Sequence, residues 1–347
     1  MALASEPFHR LIRLELAHDP VEHALVSQVA QDELSFDEAI PSWNVPGTRP
    51  FAVDIRVGAS DASPDGWSPW LRIGDWNLPS RTGDELTQFA DCKVAVDVLR
   101  MTSPKQCVQV AFRAMDGGGP LDPAEIRAFL TLTDRSRLEA RVAAAATEPW
   151  PTSHVIDVAP RSQRQDGGDI GGRICSPTSV AMVAGFHGAS VPTRQMAATI
   201  LDPHYDIYGN WNRAVQGAFV HGVDGRVARF SSWEAVRRVL ATGRPIVASI
   251  RAREGEISGA PYTKTAGHLL VVTGLDAHGV VRVNDPAAKT SATVQRMYLR
   301  ADMERVWFEK GGVAYVLGAG AGARGPGPDA AHQDATPESP SNGAVAD

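Results

Sequence analysis

Hydrophobic positions in the first 150 residues fall in short runs with partial alternation, at 11–16, 39–44, 51–57, 70–73, 93–99, 108–113 and 126–133. Clusters of Pro, Gly and Asp separate them. This pattern predicts seven short strands joined by turns, and hence an all-β sandwich of jelly-roll or immunoglobulin type. The segment 18–31 fits a short helix and a loop equally well. From residue 152 the period changes. Apolar residues recur at helical spacing over 177–187, 193–200, 211–221, 232–242 and 300–308. Strand-like runs lie at 226–230, 245–250, 268–275, 280–284 and 313–317. Helices first and an antiparallel sheet afterwards predict an α+β domain.

Between the two patterns, an Ala-rich stretch over 139–151 ends in Glu148-Pro149-Trp150-Pro151, and this proline bracket suits a domain boundary. The expected organisation is a β-sandwich accessory domain at 1–150 and an α+β domain at 151–318. The remainder, 319–347, is rich in Gly, Ala, Pro and Ser without an apolar period, so it is expected to be disordered. A length of 347 residues accommodates two domains of ordinary size.

Composition narrows the function classes. A net charge of −6 without a Lys/Arg block argues against a nucleic-acid binder. No apolar run reaches the length of a membrane-spanning helix. Residues 1–10 lack a basic start followed by an apolar stretch, so a cytoplasmic location is expected; a misplaced start codon would make the protein secreted. Trp43, Trp67, Trp70 and Trp76 either fill the sandwich or offer an aromatic face to a glycan or a partner protein.

Three cysteines cannot all pair. With a tight hairpin around Ser103-Pro104, Cys92 would face roughly residue 115, not Cys107, so both read as reduced structural thiols. Cys175 is left. It stands where a Gly-rich loop enters an apolar helix, in Gly172-Arg173-Ile174-Cys175-Ser176-Pro177-Thr178-Ser179. Cys175 or Ser176 would cap that helix, and Pro177 suits its first turn. The positive end of the helix dipole favours thiolate there. Read alone, Cys175 is equally a small buried hydrophobe.

The downstream residues add the rest of a nucleophilic site. His268 opens the strand-like run 268–275, and a turn at 276–279 leads back through Val283-Asn284-Asp285-Pro286. In that hairpin Asp285 lies opposite about Leu270 and diagonal to His268. A thiol attacking an amide needs a base, and an imidazole needs a third group to fix its tautomer. The oxyanion needs preorganised donors, for which the Cys175 amide and the Gln163 side chain are candidates, with Gln165 as rival. The segment Asp202-Pro203-His204-Tyr205-Asp206 has one His and no second His motif, so no metal site is expected. No phosphate-cradling Gly loop is present, and no cofactor is expected.

The stretches Ser162-Gln163, Cys175-Ser176-Pro177-Thr178-Ser179, Tyr208-Gly209-Asn210-Trp211-Asn212, Gly267-His268-Leu269-Leu270 and Val283-Asn284-Asp285-Pro286-Ala287 together resemble papain-like cysteine peptidases of family 39. Members of that family cut bacteriocin leader peptides, and the stand-alone bacterial branch with a β-rich N-terminal region is the nearest in pattern. The resemblance covers about 152–318 and implies a papain-like fold. It implies Cys175 as nucleophile, His268 as base, Asp285 as orienting acid and Gln163 as oxyanion residue. Asn210 and Trp211 would line the substrate groove. Ser176 stands where the family often has Gly.

The implied function is a thiol-dependent hydrolase cleaving peptide or protein substrates. A papain-like acyltransferase or a non-peptide amidase would use the same residues. A non-catalytic binding protein working through the β-sandwich would need none of them.

Overall fold

The computed structural model describes residues 2–6, 9–59, 66–78, 85–145 and 148–318; the expected disordered stretch 319–347 lies outside these. Among the described residues, eleven strands form one N-terminal sheet. They are β1 (Ala2–Glu6), β2 (His9–Leu14), β3 (Leu16–Asp19), β4 (Ala24–Ser27), β5 (Ala30–Asn44), β6 (Phe51–Gly58), β7 (Leu71–Trp76), β8 (Gln88–Phe89), β9 (Cys92–Ala95), β10 (Val98–Ala114) and β11 (Arg127–Thr133). Segment 18–31 is neither helix nor open loop, since β3 and β4 pair there as a hairpin.

Strand β10 organises this sheet. Along one edge it pairs with β5 and then β4, and along the other with β9 and then β6. Its inward residues Val108, Val110 and Phe112 join Trp43, Phe51, Leu71 and Leu130 in one apolar core. Trp43 meets Phe51 and Phe112 edge-on, with centroids 6.4 and 6.0 Å apart. Gly74 permits this, because a Cβ there would sit 2.5 Å from the Trp43 ring. Trp43 and Trp76 are buried, so of the four N-terminal tryptophans only Trp67 and Trp70 approach solvent. The Arg56 guanidinium stacks on both.

The run 93–99 is not one strand. A two-residue turn at Val96-Asp97 splits it, with Ala95 paired to Val98. Cys92 therefore faces Met101, while Cys107 faces Gly58 on the other branch, and the two buried thiols are far apart in register. Val96 holds φ at +63°, a conformation that a β-branched residue adopts only under strain.

The C-terminal region begins with α1 (Arg135–Ala145), α2 (Gln163–Gly167), α3 (Cys175–Phe186), α4 (Thr193–Ile200) and α5 (Trp211–Val220). Strands β12 (Gly225–Arg229), β13 (Ile246–Ala252), β14 (Thr265–Leu275), β15 (Val280–Asn284), β16 (Gln295–Leu299) and β17 (Val313–Leu317) follow, with α6 (Trp233–Leu240) and α7 (Arg300–Val306) between them. The strands form an antiparallel sheet in the order β12-β17-β13-β14-β15-β16. Alternation along β13 and β14 sends Val247, Leu269 and Val271 toward α3, and Ala248, Ile250 and Leu270 into a second core with Val236 and Trp307. Residues 176–184 of α3 are all buried, as expected of a helix that is apolar on every side. The Ala-rich stretch is helical as far as Ala145, and Leu138 and Val142 of α1 pack into the C-terminal core. Among the described residues, no helix is long and apolar enough to cross a membrane.

Buried polar pairs dock the two regions. Asn44 exchanges hydrogen bonds with the Gly225 backbone, and Gln216 does the same with Val45. Arg213 donates to Asp75, and Arg229 pairs with Glu38. The Val96-Asp97 turn also crosses over. The Asp97 carboxylate accepts the Trp211 backbone N–H at the start of α5.

That carboxyl is buried, and burial outweighs the hydrogen bond from Trp211, lifting its pKa from 3.8 to about 7. Below pH 4 the group is neutral whether the chain is folded or not, and no penalty exists. As pH rises toward 7 the unfolded chain ionises first, so stability falls, then levels off above 7. Asp97→Asn, which keeps an acceptor for Trp211, is expected to be neutral near pH 4. By pH 8 it should be stabilising by roughly 2–4 kcal/mol. Thermal melts of both proteins from pH 4 to 8 check this; parallel curves would refute it.

Candidate active site

The thiol sits at the first position of α3. Ile174, at φ −108° and ψ 33°, is the N-cap, and no side chain caps the helix. This corrects the expectation that Cys175 or Ser176 would do so. Ser176 instead hydrogen-bonds the buried Tyr315 hydroxyl at 3.1 Å, and Ser179 donates to the Leu269 carbonyl at 3.1 Å. These two contacts pin the first turn of α3 against β14 and β17. The N–H groups of a helix's first turn have no partners within the helix, so amides remain available beside the sulfur.

The hairpin register comes out as the sequence implies. Val271 pairs with Asn284, which places Asp285 beside Leu270, with a bulge between Val272 and Gly274. His268, at the cleft end of β14, meets Asp285 through Nε2 and Oδ1 at 2.8 Å. The other ring nitrogen, Nδ1, is thereby left free of Asp285, and His268 lies close enough to the Cys175 thiol for each to shift the other's ionisation. Asp285 is fully buried, His268 is 5% exposed, and Cys175 is half-buried at the cleft surface.

Asp285 is held by more than His268. Its Oδ2 accepts the Tyr298 hydroxyl at 2.8 Å and the Tyr262 hydroxyl at 3.1 Å, and its Oδ1 also accepts the Ala287 amide at 3.0 Å. The Tyr262 ring packs edge-on against the His268 ring, with centroids 5.0 Å apart. Sequence reading missed both tyrosines. Tyr262 comes from an irregular loop, and Tyr298 is the buried residue of β16, where alternate positions are exposed. Its neighbours Met297 and Leu299 are apolar but exposed, so no alternation of polar and apolar residues marks Tyr298.

The electrostatics follow from these contacts. Burial alone would raise the Cys175 thiol, but the hydrogen bond and charge of His268, with the Leu269 and Ser176 amides, bring it below its ordinary value. Burial alone would lower His268, but the Asp285 carboxylate and the two hydrogen bonds override it and lift the imidazole to about 10. Burial likewise opposes ionisation of Asp285, and the charge and hydrogen bond of His268 reverse this and hold it below the usual carboxylate range. Tyr262 and Tyr298 are pushed upward by burial and then by the Asp285 charge, so both stay neutral donors. Each of the three groups is thus shifted toward its charged form by its neighbours.

The remaining predicted residues divide. Gln163, 3% exposed, opens α2, donating from Nε2 to the Gly171 carbonyl at 2.8 Å; its Oε1 has no partner among the described residues. Its backbone N–H bonds the Pro286 carbonyl, next to Asp285. Gln165 is exposed and accepts from Ser291, so Gln163 is the buried one of the two. Trp211 lines a cleft of about 470 Å³ together with Cys175, Asp97, Arg173, Tyr208 and Gly267. Asn210 does not line it, which corrects its expected place in the groove. It is buried, caps α5 by accepting the Arg213 amide, and donates to Asp202 at 2.8 Å. Asp202 spends its other oxygen on the His204 and Tyr205 amides, so this acidic segment is a turn.

Residues 155–315 match the model of the Peptidase_C39 like family. No curated protein matches the chain. Among solved structures, one match is a double glycine motif protease from an AMS/PCAT transporter in complex with the leader peptide. It is 14% identical, covers 49% of this chain and 98% of that one, and has a TM-score of 0.33. The family match spans Gln163, Cys175, His268 and Asp285 alike.

Proposed function

We propose that the chain is a thiol-dependent peptidase with Cys175, His268 and Asp285 as its catalytic triad. In this reading 151–318 is an α+β papain-like domain, and the large N-terminal sheet is a sandwich-like accessory domain that walls the cleft. The observation that supports it most is the His268 imidazole bonded to a buried, four-donor Asp285 and placed near enough to the Cys175 thiol to lower its pKa.

The Cys175 thiolate attacks the carbonyl carbon of the scissile amide, forming the C–S bond as the carbonyl electron pair moves to oxygen. The Cys175 backbone N–H and the second N–H of Gln163 serve as donors to that oxyanion. An orphaned buried acceptor such as Gln163 Oε1 costs about 1–3 kcal/mol, and such costs are retained where a side chain has a task beyond packing. Collapse breaks the C–N bond, and the leaving nitrogen takes the proton from His268 Nδ1. Water then enters, His268 removes its proton, and the thioester is hydrolysed, regenerating thiolate and imidazolium. Asp285, oriented by Tyr262 and Tyr298, keeps the His268 proton on Nε2 and Nδ1 facing sulfur.

Hydrolysis and transfer to an amine share every step up to the thioester. Incubating the protein with a mixed peptide library, with and without an added primary amine, separates them by product mass. Free carboxyl products in both conditions support the peptidase. Amide products dominating with the amine present would make it an acyltransferase, and neither product would refute an acyl-transfer enzyme.

A further inference from the structure

Resting on the peptidase reading, we infer that the cleft selects substrates carrying a carboxylate close to the scissile bond, captured by Arg251 at the seam between the two regions. The cleft at Cys175 opens into a second cavity of about 690 Å³ between the N-terminal sheet, α1 and the C-terminal sheet. The residues common to both cavities are Arg100, Trp211, Ser249 and Arg251. All four side chains offer donors, two of them guanidinium forks, and none is a carboxylate.

Three carboxylates that line these cavities are engaged elsewhere, Asp206 with Arg173, Asp97 with the Trp211 amide and Glu304 with Arg300. The buried Glu38 carboxylate serves two cations, Arg229 and Arg100, the latter at 3.1 Å. Arg251 is exposed, and among the described residues no carboxylate pairs with it. Glu139 and Glu309 line only the second cavity, with Lys310 beside them. Arg251 follows Ile250 on β13, and Ile250 lies directly across from His268 on β14. An unpaired guanidinium is therefore held on the strand next to the catalytic imidazole, and its planar fork suits bidentate capture of a carboxylate.

A cavity of 470 Å³ is on the order of 10 Å across, which an extended peptide spans in about three residues. An Asp or Glu side chain, or a chain-terminal carboxylate, within about three residues of the cut would reach Arg251. The N-terminal region takes part, because its β9–β10 turn and Arg100 form the facing wall.

Cleavage-site profiling of a proteome-derived peptide library tests this, comparing the full-length protein with Arg251→Gln and Arg251→Glu. The expected result is an enrichment of about tenfold for Asp, Glu or a terminal carboxylate at one position near the cut. That enrichment should vanish in Arg251→Gln and turn toward Lys and Arg in Arg251→Glu. Cleavage without acidic enrichment, or enrichment unchanged in Arg251→Gln, would overturn the inference and leave the peptidase reading standing. No cleavage together with no labelling of Cys175 by a thiol-reactive peptide would overturn both.

Discussion

Cys175→Ala is expected to lower kcat by at least about 10⁴-fold, because the groups left behind, oxyanion donors and binding contacts, supply only a residual acceleration. The same substitution should barely move the melting temperature, since the thiol is small and half-buried at the cleft surface. A peptide epoxide should add once to the wild-type protein and not at all to Cys175→Ala, because Cys92 and Cys107 are both buried in the N-terminal sheet. Cys92 is moreover held as a thiol, its pKa raised to about 11 by burial and then by the Asp91 charge. Turnover and intact mass read the two effects separately. Activity persisting in Cys175→Ala would remove the thiol from the mechanism.

Asp285→Ala is expected to be damaging in two ways. It strands the Tyr262 and Tyr298 hydroxyls and the His268 ring without their shared acceptor, and truncating one partner of a buried pair typically costs about 3–5 kcal/mol. It also frees the His268 tautomer and removes the charge that supports the imidazolium, so kcat should fall by about 10³–10⁴-fold. The stability loss should depend on pH. The Asp285 contribution is complete above its ordinary pKa of about 3.9 and disappears as pH falls through its lower folded value. The His268 contribution is complete below about 6.5 and is lost as pH rises through about 10. The gap between wild type and Asp285→Ala should therefore be widest from about pH 4 to 6.5 and narrow toward pH 10 to the part that the Tyr262, Tyr298 and Ala287 hydrogen bonds carry. Chemical denaturation across that range measures it; a gap independent of pH would contradict the assignment.

Much of the site was legible because its signals are local. A cysteine entering an apolar helix, and a hairpin whose turn fixes the register of His268 and Asp285, depend on neighbours within a few residues. The helix at Thr193–Ile200 and the strands at Val280–Asn284 and Val313–Leu317 fall where their periodicity puts them. What failed depends on distant contacts. The turn at Val96-Asp97 has no Gly, Asn or Pro, and Val96 holds a positive φ beside Asp97, which docks onto α5. Asn210 carries the polar type of a groove residue, yet Asp202 and the α5 amide consume its hydrogen bonds. The tyrosines on Asp285 come from a loop and from an edge strand whose Met297 and Leu299 face solvent, so their alternation reads weakly. The docking of the two regions rests on Asn44, Gln216 and Arg229, pairs that no spacing rule connects.

The central claim is a preformed thiolate–imidazolium pair at Cys175 and His268. The rate of Cys175 alkylation by iodoacetamide, followed by intact mass from pH 4 to 10, tests it most directly. The claim predicts a rate already on its plateau at neutral pH, with a midpoint well below the ordinary thiol value of about 8.5, and a midpoint displaced upward in Asp285→Ala. A rate that climbs through about pH 8.5 in both proteins would contradict it.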